Sequence, residues 1–362
     1  MTAERPAHIA YEPGTLRIID QTQLPERVEV ISLITPADVA GAIRAMQVRG
    51  APAIGIAGAY GLAMAALLAA AKADSPDHFL AVLSDAARTL ESARPTAVNL
   101  SWAVNELLNE AKRRTNDGES AKAVAAHLQA AAAALHADDI ETCRRIGEAG
   151  AALLPDGVAI FTHCNTGDFA TGGYGTALGV VRSARTAGKL REVFVGETRP
   201  QLQGARLTTY ELLTDGIPFT LVADTTAGYL MQRGNVGTVI VGADRIAANG
   251  DTANKVGTYP LAVLAHENGI PFYVAAPRSS FDPAAAAGAD IKIEERDPAE
   301  VLTVRGVPLA PPQSPVVNPA FDVTPARYVT AFITEFGALT PPFDQSIAQM
   351  LRQAPVHAGA AR

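Results

Sequence analysis

The sequence predicts an α/β protein, with an α-rich amino-terminal domain carrying a small antiparallel sheet and a carboxy-terminal doubly wound parallel sheet. Three observations predict it. Residues 15–34 alternate apolar and polar positions on either side of Gln23-Leu-Pro25, the pattern of a half-buried hairpin. From Thr35-Pro36 to about Leu154 the apolar period is that of successive helices. From Pro155-Asp-Gly157 onward, short apolar runs alternate with amphipathic stretches at the spacing that parallel β–α–β crossovers need.

At 362 residues, nearly half of them hydrophobic, the chain can bury two cores. The expected boundaries are 1–145 for the helical domain and 146–352 for the α/β domain, with 353–362 a frayed tail. Thr35 caps the first helix and Pro36 fills its first position, where a missing N–H costs nothing. Breaks fall near Arg49-Gly-Ala-Pro52, Ser75-Pro76, Arg94-Pro-Thr96 and Asn116-Asp-Gly118. Residues 50–71 lack charge for about twenty positions, long enough to cross a bilayer. They are mostly Ala and Gly, which gain little from lipid, so a buried helix is expected. In the second domain the expected strands are 158–162, 192–196, 219–223, 238–241 and 272–275, with helices near 174–188, 204–215, 226–234 and 254–268. Residues 291–295 suggest another strand, and the Pro-rich run 307–325 should be extended.

Several function classes are excluded. A net charge of −7 argues against a nucleic-acid surface, which needs a basic stripe. Two cysteines, Cys143 and Cys164, are too few for a disulfide framework and fit a reducing cytoplasm. The start, Met1-Thr-Ala-Glu-Arg-Pro6, lacks the apolar core of a signal peptide. The expectation is a cytoplasmic protein with neither nucleic-acid nor membrane partners.

Ligands of an open parallel sheet collect outside the carboxyl ends of its strands. Here those ends carry Thr162-His-Cys-Asn-Thr-Gly167, Gly196-Glu-Thr-Arg-Pro200 with Gln201-Leu-Gln-Gly204, Asp224-Thr225 and Asp244. In the stretch from Gly242 to Tyr259, Asp244 stands at a strand mouth and Asn254-Lys255 is expected to open the next helix. Cys164 is either an ordinary buried thiol or, before a glycine-rich loop and a helix start, a thiol of lowered pKa. His163 alternates to the opposite face and reads as a structural histidine. Cys143, His163 and Cys164 lack a fourth ligand at metal-binding spacing. Gly173-Tyr-Gly175-Thr-Ala-Leu-Gly179 is glycine-rich, but roughly ten residues separate it from the preceding strand, whereas a dinucleotide fingerprint turns directly from strand to helix. In the first domain, Arg49 and Arg94 precede helices, where a fork of donors beside free amides grips phosphate; alternatively they are surface arginines near turns. If both domains contribute, the site lies between them.

Together, Arg49-Gly-Ala-Pro-Ala-Ile-Gly55, Arg94-Pro-Thr-Ala-Val-Asn-Leu100, Thr162-His-Cys-Asn-Thr-Gly167, Glu197-Thr-Arg-Pro200, Gln203-Gly-Ala-Arg-Leu207, the stretch from Gly242 to Asp251, Asn254-Lys-Val-Gly-Thr-Tyr259 and Asn318-Pro-Ala-Phe-Asp-Val-Thr-Pro325 resemble the methylthioribose-1-phosphate isomerases of methionine salvage. Thr166 stands where alanine is common in that family. The wider superfamily includes ribose-1,5-bisphosphate isomerases and regulatory subunits of translation initiation factor 2B, and shares a Rossmann-like fold. The resemblance implies an intramolecular oxidoreductase acting on a sugar phosphate, Cys164 and Asp244 as the catalytic pair, and Arg49, Gly50, Ala51, Arg94, Gln203, Asn254 and Lys255 as substrate-binding residues. It also implies a homodimer needing neither cofactor nor metal. In such a reaction the ring oxygen needs an acid; burial beside an apolar strand end would favour a protonated Asp244 and Lys255 would oppose it, with desolvation expected to dominate if phosphate neutralises Lys255.

Overall fold

The computed structural model describes residues 6–94 and 97–353. The first five residues, Pro95-Thr96 and the tail beyond Gln353 lie outside the described residues, as therefore do most of the expected frayed tail and part of the break after Arg94. The chain divides into two compact units. One holds the described residues up to Glu141 together with Asp168–Gly173; the other holds Thr142–Gly167 and everything from Tyr174.

In the first unit, β1 (Ile9–Glu12), β2 (Thr15–Ile19) and β3 (Val30–Leu33) form an antiparallel sheet in that order. The hairpin read from the sequence is β2 with β3, Leu16 facing Leu33 and Ile19 facing Val30. The helices are α1 (Pro36–Arg44), α2 (Ala51–Ala70), α3 (Pro76–Glu91), α4 (Val98–Asn116) and α5 (Ala121–Leu153), the last running past the unit boundary at Glu141. Thr35 caps α1 as expected: its hydroxyl accepts from Asp38 N–H, and the Asp38 carboxylate accepts from Thr35 N–H. The uncharged helix α2 is buried continuously from Ala53 to Ala66, against α1, α3 and α4. Its small residues let those neighbours close in. A Cβ at Gly58 would stand 2.5 Å from Leu100 Cδ1, and one at Gly61 would stand 2.9 Å from Leu90 Cδ2. The core is thus built by close helix packing rather than by large side chains.

The second unit is built on a sheet whose parallel strands are β4 (Val158–Thr162), β5 (Leu190–Gly196), β6 (Phe219–Val222), β7 (Thr238–Val241), then, after the short strands β8 (Arg245–Ala247) and β9 (Thr252–Lys255), β10 (Phe272–Ala275). The chain continues through β11 (Phe281–Asp282), β12 (Thr303–Val304), β13 (Val307–Pro308) and β14 (Phe321–Thr324) to β15 (Ala331–Thr334) and β16 (Gly337–Leu339). The large sheet runs β16-β15-β10-β7-β4-β5-β6 among the described residues, all parallel except the β15–β16 edge pair. Its strand order reverses between β4 and β7, as in a doubly wound fold. Alternation along the strands feeds two cores. Phe161, Val239 and Val241 pack with α8 (Ala227–Gln232), α9 (Thr258–Glu267) and α11 (Phe343–Leu351). Ile160 and Ile240 pack instead with the end of α5, α6 (Ala177–Thr186) and α7 (Thr209–Thr214).

Two expectations are corrected. Residues 254–255 do not open a helix: they end β9, which pairs with β8 and β14, and the helix begins at Thr258. Residues 291–295 form no strand. They make one isolated bridge, Glu295 with Pro319, before the short helix α10 (Ala299–Leu302). The run 307–325 is non-helical as expected, with β13 near its start, a turn at 312–313 and β14 near its end.

A glycine pair sets the tightest backbone approach near the strand ends. A Cβ on Gly204 would lie 1.8 Å from the Gly196 carbonyl oxygen. Gly204→Ala is therefore expected to lose ~3 kcal/mol or more by chemical denaturation. Gly41→Ala, inside α1 with nothing within 4 Å of the new Cβ, should gain about 0.5–1 kcal/mol in the same assay.

Candidate active site at the carboxyl ends of the strands

In the second unit, the loops after β4 and β7 meet at the strand-order reversal. The Thr162 hydroxyl at the end of β4 donates to the Ile240 carbonyl of β7 at 2.8 Å, closing the seam beneath them. Above it, Thr166 packs on Gly242 so closely that a Cβ there would stand 2.4 Å from Thr166 Cγ2. Cys164 lies on the first of these loops and Asp244 on the second.

Cys164 is 7% exposed and has a left-handed backbone, φ 64°. For a non-glycine residue that conformation costs of order 1–2 kcal/mol and needs outside support. The support is on both sides of the residue. Its N–H donates to the Thr198 hydroxyl at 2.8 Å, and its carbonyl accepts from the Thr208 hydroxyl at 2.6 Å. Asn165, next in the chain, donates to the buried Glu211 carboxylate at 2.7 Å, which Arg182 also holds at 2.8 Å. His163 is the buried post behind the loop: its ring Nε2 pairs with the Val256 carbonyl at 2.9 Å. Burial holds this imidazole below its ordinary pKa, outweighing the Asp224 carboxylate 3.8 Å away, so it is neutral at pH 7 and donates to that carbonyl. The structural role read for His163 fits these contacts.

Gln203 precedes a wide, π-type turn over Gly204–Thr208 and is 4% exposed. Its Oε1 is buried and accepts no hydrogen bond among the described residues. A buried acceptor left over in this way is a natural place for a ligand donor. Asp244 precedes β8, and its N–H donates to the Ala253 carbonyl at 3.0 Å, which sets it beside β9. Its side chain is exposed. The expected burial of Asp244 beside the strand end is therefore corrected for the folded chain: three residues past the apolar strand, the loop has already turned outward. Asn254 is buried on β9 and donates to the Thr258 hydroxyl at 3.0 Å. Lys255 lays its ammonium on the Ala320 carbonyl at 2.8 Å, 5.2 Å from the centre of the Phe321 ring.

The other expected binding residues belong to the first unit. Arg49 is buried and leads into Gly50, which caps α2 with φ 95°; a Cβ there would meet the Ala170 backbone at 2.4 Å. Ala51 begins α2, whose first turn has no side-chain cap. Arg94 is half-buried and precedes α4. The amino ends of α2 and α4 adjoin, since a Cβ on Gly55 would lie 3.0 Å from the Asn99 carbonyl. Arg49 and Arg94 thus each precede one of two adjoining helix starts.

Sequence reasoning gave no role to Thr198, Thr208 or Asp322, although Thr198 and Asp322 lie in stretches it singled out. Only the strained backbone at Cys164 gives the threonines a purpose. Asp322 faces Asn254 across the β9–β14 pair and accepts from the N–H groups of Gly257 at 2.7 Å and Tyr259 at 3.1 Å, closing the turn that follows Lys255.

The chain matches the model of the initiation factor 2 subunit family over residues 47–341. It is 52% identical over 340 residues to a methylthioribose-1-phosphate isomerase of Chloroflexus aurantiacus, covering 94% of this chain and 97% of that one. The chain belongs to the methylthioribose-1-phosphate isomerases of the initiation factor 2 subunit family. Among solved structures it is similar to the 5-methylthioribose 1-phosphate isomerase of Pyrococcus horikoshii, with TM-score 0.91 and 43% identity over 97% of both chains. It is also similar to a protein of A. fulgidus described as translation initiation factor eIF-2B subunit delta, with TM-score 0.86, 44% identity and 96% and 99% of the two chains covered. Proteins described as isomerases and as initiation-factor subunits therefore share this fold.

One electrostatic feature of this isomerase family member gives a pH test. Burial raises the Asp322 carboxyl from its ordinary 3.8 to about 6, against the opposing pull of its two backbone donors and Lys255. Between those values the folded state binds more protons than the unfolded chain, so this group's stabilisation falls as pH rises through that window. Asp322→Asn removes the titration. The melting temperature of the wild type relative to the variant should fall between pH 4 and pH 6; a difference that stays flat or rises contradicts it.

Proposed function

We propose that this chain converts 5-methylthioribose 1-phosphate into 5-methylthioribulose 1-phosphate, a step of methionine salvage, with Cys164 and Asp244 doing the chemistry. The observation that carries the reading is the left-handed Cys164, buried and braced on both sides at the strand-order reversal, in a chain half identical to isomerases over nearly its whole length. Arg49, Gly50, Ala51 and Arg94 bind phosphate through arginine forks and helix-start amides, while Gln203 at the turn after β5 and Asn254 and Lys255 on β9 bind the sugar phosphate.

In an aldose 1-phosphate the anomeric oxygen is esterified, so the ring cannot open by loss of a hydroxyl proton. Asp244 gives a proton to the ring oxygen as its bond to C1 breaks. Since the folded chain leaves Asp244 exposed, the bound substrate itself supplies the desolvation that keeps the acid protonated. Hydrogen then moves from C2 to C1 and the C2 hydroxyl becomes the ketone. In one route the Cys164 thiolate takes the C2 proton to give an enol phosphate, which is reprotonated at C1 and loses its hydroxyl proton. In the other the hydrogen moves with its electron pair while Cys164 takes the hydroxyl proton. Solvent deuterium in C1 of the product marks the first route; its complete absence marks the second, or a base fully shielded from solvent.

A ribose-1,5-bisphosphate substrate would need a second anion grip at C5, where a methylthio group wants an apolar pocket. Parallel assays should show turnover of the methylthio compound and little of the bisphosphate. A purely regulatory subunit needs no catalytic pair, so the presence of both Cys164 and Asp244 argues against that reading. A cytoplasmic homodimer completes the reading, on the resemblance and the cysteine usage, and light scattering of the purified chain should give twice the monomer mass.

Cys164→Ser and Asp244→Asn should each lose turnover by about 100-fold or more with KM changed by less than about threefold, since both groups act mainly in the transition state. Either variant turning over at the wild-type rate removes its assigned role. Arg94→Ala should instead raise KM by about tenfold, as expected for a lost charge-assisted phosphate contact.

A further inference from the structure

The Thr198 hydroxyl has one proton and two lone pairs, and its neighbours settle how they are used. Cys164 N–H can only donate, so Thr198 Oγ1 accepts from it at 2.8 Å. The remaining proton goes to the Gly196 carbonyl at 3.0 Å, with His163 Nδ1 at 3.5 Å as the longer alternative. Thr198 is 0% exposed and is itself left-handed, φ 67°. Its own backbone is held from a third loop. The Asp224 carboxylate accepts from Thr198 N–H and from Arg199 N–H, each at 2.8 Å, one on each oxygen. On the far side of Cys164, Thr208 has no exposure and closes the clamp at 2.6 Å.

Two consecutive strained residues in one hydrogen-bonded line are not needed to build a strand end. The ends of β7 and β10 are made without any left-handed non-glycine residue. Backbone dihedrals at Cys164 set the direction in which its Cα–Cβ bond leaves the chain, and a residue released from the left-handed region relaxes to an extended or helical one that aims the side chain elsewhere. The hydroxyl of Thr198 is the one side-chain group shown to hold the Cys164 N–H, and Asp224 is the group shown to hold Thr198 in turn.

We propose that Thr198 is a positioning residue for Cys164, with Asp224 acting through it: the line Asp224, Thr198, Cys164 locks the cysteine in its left-handed conformation and so aims the thiol. The proposal rests on the reading of Cys164 as a reacting group. It adds that the loops after β5 and β6, which carry no member of the proposed catalytic pair, determine how fast the thiol works. Thr198 touches the backbone of Cys164 and nothing is asked of it in proton transfer.

The test combines steady-state kinetics on 5-methylthioribose 1-phosphate with alkylation of the native full-length chain by iodoacetamide, read by peptide mass spectrometry. Cys143, buried on α5, is the internal reference for general loosening of the fold. In Thr198→Val, which keeps the shape and removes the hydroxyl, kcat should fall by about tenfold or more with KM within about twofold. The rate of Cys164 alkylation should change by at least about threefold relative to Cys143. Thr198→Ser, which restores the hydroxyl, should return both readouts to near the wild-type values. Asp224→Asn, on a half-buried side chain and with one acceptor oxygen left, should show a smaller shift of the same kind, and it carries the test if Thr198→Val does not fold. Wild-type kcat and an unchanged alkylation ratio in Thr198→Val, or in Asp224→Asn where that variant stands in, overturn the proposal. So does a Thr198→Ser variant as impaired as Thr198→Val. If Cys164→Ser keeps wild-type turnover, the catalytic role of Cys164 fails, and the alkylation ratio still decides whether Thr198 holds that residue.

Discussion

Because the strand order of the large sheet reverses between β4 and β7, the helix after β4 packs on one face and the helix reached after β7 packs on the other. The loops at the ends of the two central strands carry polar groups that need partners, and in this chain the partners come from several other segments. Thr198 and Thr208 serve Cys164, Glu211 serves Asn165, and the Val256 carbonyl takes the ring proton of His163. The price of the arrangement is a left-handed cysteine, and the bonds around it keep it there.

Two acids of the second unit, Asp244 and Asp322, illustrate how little sequence position says about burial. Asp244 follows an apolar strand closely, yet its loop turns outward and leaves it exposed. Asp322 sits on a short edge strand between Phe321 and Val323 and is buried enough to be raised to about 6. Its carboxyl closes the turn after Asn254 and Lys255, so the placement of those two residues depends on a segment more than sixty positions later in the chain.

That distance also explains which parts were legible in the sequence. The central strands β4, β7 and β10 fall at the expected positions, because each is a short apolar run bounded by turn residues and buried on both faces. The helical breaks of the first unit follow Pro, Gly and capping residues, which act locally. Strand β9 was not legible: Thr-Ala-Asn-Lys has no strand-like alternation, and it is extended because β8 pairs with it on one side and β14, from far along the chain, on the other. The same reasoning applies in reverse at 291–295, an apolar alternation that finds no ladder. Of the candidate site, the polar residues at the strand ends and the arginines before α2 and α4 were visible as types in suggestive places. The brace around Cys164 was not, because a threonine hydroxyl that supports a strained backbone looks in sequence like any other threonine.

The account stands or falls on whether this sheet edge moves hydrogen from C2 to C1 of its substrate and needs Cys164 to do it. Incubation of the purified chain with 5-methylthioribose 1-phosphate carrying carbon-13 at C2, followed by carbon NMR, tests this directly. The prediction is a ketone resonance growing with wild-type enzyme and absent over the same time with Cys164→Ser. No ketone from the wild type, or equal growth from both, would contradict it.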